Sequence, residues 1–236
     1  MVAQYRLDDQ ARAAIAASSL GSLPQEVIAE LTAGVTTIRI AARSTVHHEG
    51  EDSPHLELVR AGLVRVQVAA ADGRTMTVRY ARPGALLGVA TLYARVARPF
   101  GIQALSDSEL LAFRPTVVRA WADRDAPVAR ALLIETSERV MSFVAEFSGH
   151  AFANVRQRIA RHLLDLASDQ QRPGELVTPI SQQDLADAVG TVREVVVRVL
   201  RELREEGIVQ TGRDGIVILD PERLAGIGSP SWSESS

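Results

Sequence analysis

Three textures of apolar and polar positions follow one another along the chain. Over residues 1–34 apolar residues recur at helical spacing in short runs, and "LGSLPQEVIAELTAG" closes on a glycine that signals a helix stop. From Val35 to Phe113 the period shortens. "TTIRIAARSTV", "LELVRAGLVRVQVAA", "TMTVRYARPG" and "ELLAFRP" are β-branched runs separated by Gly, Pro and Asp, and "AADGRT" carries the Asp-Gly signal of a hairpin. Several short strands at this spacing predict a β-sandwich or jelly roll. A long helical pattern then follows Pro127. Leu133, Val140 and Phe147 recur every seven residues, and Ser137, Val144 and Ala151 come four residues after each, forming one apolar seam. Leu132, Met141 and Phe143 make the same helix apolar on other sides, which predicts that one side lies on the β domain and the seam on a partner helix.

The last third is helical again. "NVRQRIARHLLDLASDQ" places Ile159, Leu163 and Leu166 on one side of a helix. In "SQQDLADAVGTVREVVVRVLRELREEG" Ser181 is a good N-cap with Asp184 three residues later, and Leu185, Ala188 and Val189 form the apolar side. Gly190 ends that helix in a sharp turn, and Thr191 is expected to cap the next one. There Val196, Val199, Leu200 and Leu203 share one face, opposite Arg193, Glu194, Val197, Arg198 and Arg201. "GIVQTGRDGIVILDPERLAGI" adds two strands around "GRDG" and a closing helical turn, and the tail "GSPSWSESS" is expected to be disordered. Two short helices on a glycine turn, followed by a hairpin, predict a winged helix-turn-helix. The α+β chain therefore divides into a β-roll with N-terminal helices (1–125), a long dimerisation helix (126–153), a winged helix-turn-helix (154–225) and a tail (226–236).

Composition narrows the chemistry. There is no cysteine, which excludes disulfides, thiol catalysis and Cys-held zinc or iron–sulfur centres. Net charge is −3, so the chain as a whole does not attract nucleic acid, and all 26 basic residues are Arg. No apolar run reaches the ~18–20 residues that cross a bilayer, and acids near the start argue against a secretory signal, so a cytoplasmic location is expected. No Ser-His-Asp order, carboxylate pair or glycine-rich phosphate loop stands out, and the chain does not read as an enzyme.

The arginines of the second motif helix carry the functional reading. The N-terminal residues of such a helix meet base edges in the major groove. Arg pairs bidentately with guanine and Glu accepts from cytosine N4, so Arg193, Glu194 and Arg198 form a trio suited to G·C pairs. The competing reading is a solvated helix held by Glu194–Arg198 and Arg198–Glu202 pairs.

"ISQQDLADAVGTVREVVVRVLRELREEGIV" resembles the DNA-binding signature of the cyclic-AMP receptor protein/FNR (CRP/FNR) family of bacterial transcription regulators, and the order β-roll, long helix, winged helix extends the likeness over roughly residues 20–225. The resemblance implies a cyclic-nucleotide-binding-like roll and a homodimer on double-stranded DNA, with RNA polymerase as a further partner. Arg193, Glu194 and Arg198 match the three base-reading positions of the cyclic-AMP branch, implying an inverted repeat similar to TGTGA-N6-TCACA. Ser181 and Gln183 match backbone-contacting positions, and Thr191 and Arg201 complete the candidate DNA-binding set. The candidate dimer interface is Leu133, Ser137, Val140, Val144, Phe147 and Ala151. Val192 and Val195 depart from the family's frequent Ser or Thr.

The sensor half departs further. In "PGALLGVATLYARVARPFGIQAL" Val89 stands where the family has the Glu that holds ribose, and Pro99-Phe100 where it has Arg-Ser, with Arg98 one residue off. The base-touching positions fall on Phe143 and Val144. An apolar pocket is expected, and cyclic AMP is not expected in the usual way. His47, His48 and His55, beside Glu49, Glu51 and Asp52, match no metal-ligand spacing and predict a solvated polar loop, with no metal site. His150 and His162 read as packing or capping residues. Haem or a small apolar ligand remains an alternative, as does an effector-independent regulator with a vestigial roll.

Overall fold

The computed structural model describes residues 7–51, 56–69, 75–94, 97–167, 176–212 and 215–228, and of residues 145–152 the backbone alone. The chain divides into two compact units, residues 1–68 with 78–143 and residues 69–77 with 144–236, so that the long helix crosses from one to the other between Phe143 and Val144.

Helices α1 (Asp9–Ala16) and α2 (Gln25–Thr32) precede eight strands: β1 (Thr36–Ile40), β2 (Thr45–His47), β3 (Leu56–Ala61), β4 (Val64–Ala69), β5 (Thr75–Ala81), β6 (Leu86–Leu87), β7 (Gly101–Ala104) and β8 (Ser108–Phe113). They form two four-stranded sheets, ordered β1-β8-β3-β6 and β2-β7-β4-β5, which is the expected roll. Neighbouring residues of β8 show why its sequence is nearly continuously apolar. Leu110 faces the core between the sheets with Val59, Val66, Leu87 and Ile102, whereas Leu111 faces a second core with Leu58, Ile15, Leu31 and Val118. A strand covered on both faces keeps no polar side. The tight link from β3 to β4 passes Gly62 at φ 84°, where a Cβ would collide with Asp107 and Ser108.

Helix α3 (Pro115–Arg124) was not evident in the pattern of apolar positions. Pro115 opens it, Val118 is buried, and the Arg124 guanidinium lies 3.9 Å from the Trp121 ring centroid. Helix α4 (Ala126–Phe152) starts on the Asp125 carboxylate, which accepts from Val128 N at 3.0 Å. Its first turns bury Val128, Ala131 and Leu132 against the roll core. Beyond them Leu133 (65% exposed), Val140 (56%) and Val144 (52%), with Ile134, Met141 and Phe143, leave an apolar surface open. Phe147, His150 and Ala151 belong to the helix backbone, and their side chains lie outside the described residues.

The second unit comprises α5 (Val155–Ala167), β9 (Leu176–Thr178), α6 (Gln182–Val189), α7 (Arg193–Glu205), the wing strands β10 (Val209–Gly212) and β11 (Gly215–Ile218), and α8 (Pro221–Gly228). The three strands make one sheet, ordered β10-β11-β9. Where a closing helical turn was expected, α8 is an eight-residue helix with Leu224 fully buried. His162 is buried, in keeping with a packing role. Residues 213–214, within the expected turn, and the tail from 229 lie outside the described residues.

Candidate nucleic-acid interface and sensor interior

Two helix ends set the geometry of the interface. Ser181, in extended backbone, accepts from Asp184 N at 3.0 Å through its hydroxyl, which in turn donates to the Asp184 carboxylate at 2.6 Å. At the other end Gly190 is left-handed, at φ 67°, and Thr191 N donates to Ala186 O at 3.0 Å. The buried face of α6 (Leu185, Ala188, Val189) and that of α7 (Val196, Val199, Leu200, Leu203) hold the two helices together across this turn. Arg158 from α5 locks the corner by donating to Val189 O at 3.1 Å and Ala153 O at 2.9 Å. Burial lowers its pKa, and the carbonyls receive its N–H groups.

The expected cap on α7 is corrected. The residue at the N-cap is Val192, which offers no side-chain acceptor, while Thr191 stands one position too early and spends its N–H on closing α6. The N–H groups at the start of α7 are therefore left without a side-chain cap.

The charged side of α7 is sorted by its partners. Glu202 pairs with Arg156 at 3.3 Å, and Arg156 also grips Glu206 at 2.6 Å. Arg201 lies 3.8 Å from Glu205, and Arg204 donates to Thr211 at 3.2 Å. Among the described residues Arg193, Glu194 and Arg198 make no hydrogen bond or ion pair, so the Glu194–Arg198 and Arg198–Glu202 pairs of the competing reading are absent. All three are exposed. Nearby, Ser181 and Gln183 are also exposed, and Gln183 donates to Asp187 at 2.9 Å.

Inside the roll the structure overturns two expectations. His47 is not in a solvated loop. It is the last residue of β2, 9% exposed, and its two ring nitrogens lie 2.9 Å from Glu51 Oε2 and 2.7 Å from Glu57 Oε1. Two carboxylates facing both nitrogens call for an imidazolium, since only the protonated ring donates from both. Burial pulls the His47 pKa down and Arg98 pulls the same way, but the hydrogen bond and charge of Glu57, with the Glu51 hydrogen bond, outweigh them and leave it raised. The backbone N–H of His48 and the His47 ring hold the Glu51 pKa low.

Nor is the interior simply apolar. Arg98 is 1% exposed, anchored by backbone bonds to Gly50 and Glu51, with its guanidinium 5.7 Å from the Phe100 ring centroid. All three guanidinium nitrogens, and Glu57 Oε2, are buried without a partner among the described residues. Burial lowers the Arg98 pKa, and the charges of Glu57 and Glu51 oppose that. The neighbouring positions contribute no such group: Val89 joins the apolar core, Pro99 is exposed and Phe100 is half-buried. Sequence position misled here, because a side chain one residue off the expected place turns inward. Among the described residues no three His, Asp or Glu side chains gather as metal ligands, and His55 lies outside them. No described helix is long and apolar enough to cross a membrane.

Residues 157–227 match the model of the Crp-like helix-turn-helix domain, and residues 37–125 that of the cyclic nucleotide-binding domain. The chain is 33% identical over 189 residues to the transcriptional regulator LdrP of Thermus thermophilus, a match that covers 77% of this chain and 91% of that protein. The chain belongs to the CRP/FNR family. It is also 27% identical to the cAMP-activated global transcriptional regulator Vfr of Pseudomonas aeruginosa, over 76% of this chain and 87% of that one. Among solved structures, a CRP/FNR-family transcriptional regulator of Thermus thermophilus superposes with a TM-score of 0.70 at 26% identity, covering 82% of this chain and 98% of that one. As a CRP/FNR member the chain is a transcription regulator and not an enzyme, and α6 and α7 form its DNA-binding helix-turn-helix.

Proposed function

We propose that the protein acts as a homodimer on an inverted repeat similar to TGTGA-N6-TCACA, with Arg193, Glu194 and Arg198 reading base edges and Ser181, Gln183, Thr191 and Arg201 positioned for the flanking backbone. The observation that carries this reading is the exposed trio at the start of α7, which makes no hydrogen bond or ion pair among the described residues, on a helix whose opposite face is buried. Guanidinium groups left free in water give up no pairing when they meet guanine. The apolar surface of α4 at Leu133, Val140 and Val144 supports the dimer, with Ser137 exposed beside it, because such a stripe on a soluble helix calls for a covering partner. A two-fold pair would set the recognition helices about one DNA turn apart. RNA polymerase is the proposed protein partner.

For the roll, the Arg98 guanidinium, buried without a hydrogen-bond partner among the described residues, supports a small anionic effector over haem or an apolar ligand, since such a group is costly unless its N–H donors are met. Cyclic AMP held in the usual way is not proposed, because Val89, Pro99 and Phe100 supply neither the carboxylate nor the Arg-hydroxyl pair of that mode.

Selection from a pool of randomised duplexes by the purified full chain tests the DNA reading. The expected product is an inverted repeat with guanines in each half-site, and Arg198→Ala should relax choice at one base pair per half-site. Failure to enrich any motif, or an equal loss on all sequences for Arg198→Ala, would contradict it.

A further inference from the structure

One apolar side chain interrupts the charged face of α7. Val197 is 41% exposed, whereas Val196, Val199, Leu200 and Leu203 of the same helix are at most 5% exposed. A single exposed valine is ordinary on a protein surface, so exposure alone assigns nothing. Its position does. At about 100° and 1.5 Å per residue, Val197 falls in the middle of the row Arg193–Val197–Arg201, about 40° from each, with Glu194 one turn behind and Arg198 next to it. It therefore adjoins Arg193, Glu194 and Arg198, which the proposed function aims at base edges, with Arg201, aimed at the flanking backbone, on its C-terminal side. A surface seated closely enough for Arg193 and Arg198 to reach guanines brings Val197 against the bases between them.

The chemistry of valine then restricts what it can meet. Its two methyl groups neither donate nor accept, so against guanine O6 and N7 or cytosine N4 it would desolvate polar atoms without replacing their hydrogen bonds. The one apolar group on an unmodified major-groove edge is the C5-methyl of thymine. In the half-site TGTGA the base pair between the two guanines is T·A. We infer that Val197 is a specificity-determining residue that reads the methyl group of this central thymine. The inference rests on the proposed placement of α7 in the major groove, and deepens it from two G·C pairs to the pair between them.

The test replaces the central thymine of both half-sites with deoxyuridine, which removes the methyl and leaves every hydrogen-bonding group in place. Binding of the full chain is followed by fluorescence anisotropy at fixed salt. Loss of one buried methyl contact predicts about 4-fold weaker binding per half-site for the wild type. Val197→Ala should bind the thymine duplex about as weakly as the wild type binds the uracil duplex, and should no longer distinguish the two. Because Val197 is exposed and Ala is a better helix former, the variant should keep the melting temperature of the wild type. Equal wild-type affinity for thymine and uracil, with preference over a scrambled duplex retained, would overturn the role of Val197 and leave the placement of α7 standing. Thymine discrimination that survives in Val197→Ala would overturn it as well. No preference over the scramble even with thymine would instead sink the placement of α7 itself.

Discussion

Among the described residues, Arg198 and Arg98 are both arginines whose guanidinium groups make no hydrogen bond, yet they lie in opposite environments. Arg198 projects from α7 into water, where a guanidinium is fully hydrated and its lack of a partner carries no penalty. Arg98 is 1% exposed inside the roll, where the same lack must be compensated. The compensation is collective. Arg98 and the His47 imidazolium share the interior with Glu57, and Glu51 closes the cluster from the rim, so two positive groups face two negative ones. The exposed arginine is poised for a ligand at no cost to the fold. The buried one is bound to the stability of its domain.

Five substitutions test that contrast, in order of decreasing expected effect. Glu57→Gln keeps shape but removes the buried carboxylate between His47 and Arg98. Leaving buried charge uncompensated should destabilise the fold by about 3–5 kcal/mol, read as a lower denaturant midpoint. Its counterpart, Arg98→Met, removes one positive group and leaves the Glu57 and Glu51 carboxylates facing His47 alone, so it should also lower the melting temperature, by less than Glu57→Gln because His47 still neutralises part of that charge. An unchanged melting temperature would mean that the guanidinium takes no part in the compensation.

Arg198→Ala should do the reverse of Glu57→Gln. Loss of about 1–3 kcal/mol in specific DNA binding per half-site is expected, with the denaturant midpoint unchanged. Gly190→Ala tests the corner that presents Arg198. A Cβ there would meet nothing within 4 Å, so the cost is the left-handed backbone alone, about 1 kcal/mol of stability. The smallest effect is on pH. Folding raises the His47 pKa, so its contribution is complete below the ordinary histidine value of about 6.5 and fades as pH rises through the folded value. His47→Gln should flatten that slope in chemical denaturation across neutral to mildly alkaline pH, and an unchanged slope would assign it to another group.

Local signals made the helix-turn-helix legible. The Ser181 cap, the Gly190 turn and the apolar spacing of α7 are each fixed within a few residues, and the structure repeats them. Thr191 failed as a cap because the helix begins one residue later than its hydroxyl requires. Strands β6 and β7 were missed because they are only two and four residues long and take their order from neighbours distant in sequence. The roll interior was misread for the same reason. His47 looked like a loop residue because Glu57, ten positions on, holds it only once β2 and β3 are folded into their sheets. Charge next to charge in a sequence suggests solvent; charge next to charge in a core shows only in three dimensions.

The most direct test of the central claim compares three duplexes at one salt concentration: TGTGA-N6-TCACA, the same site with one half scrambled, and a fully scrambled control. Affinities without a stated salt and a non-specific reference do not report specificity. A dimer with two recognition helices should bind the full repeat tightly, the single half-site markedly more weakly, and the scramble with non-specific affinity only. Equal affinity for the full and half sites would contradict two symmetry-related recognition helices, and equal affinity for all three would contradict base reading by Arg193, Glu194 and Arg198 on this repeat.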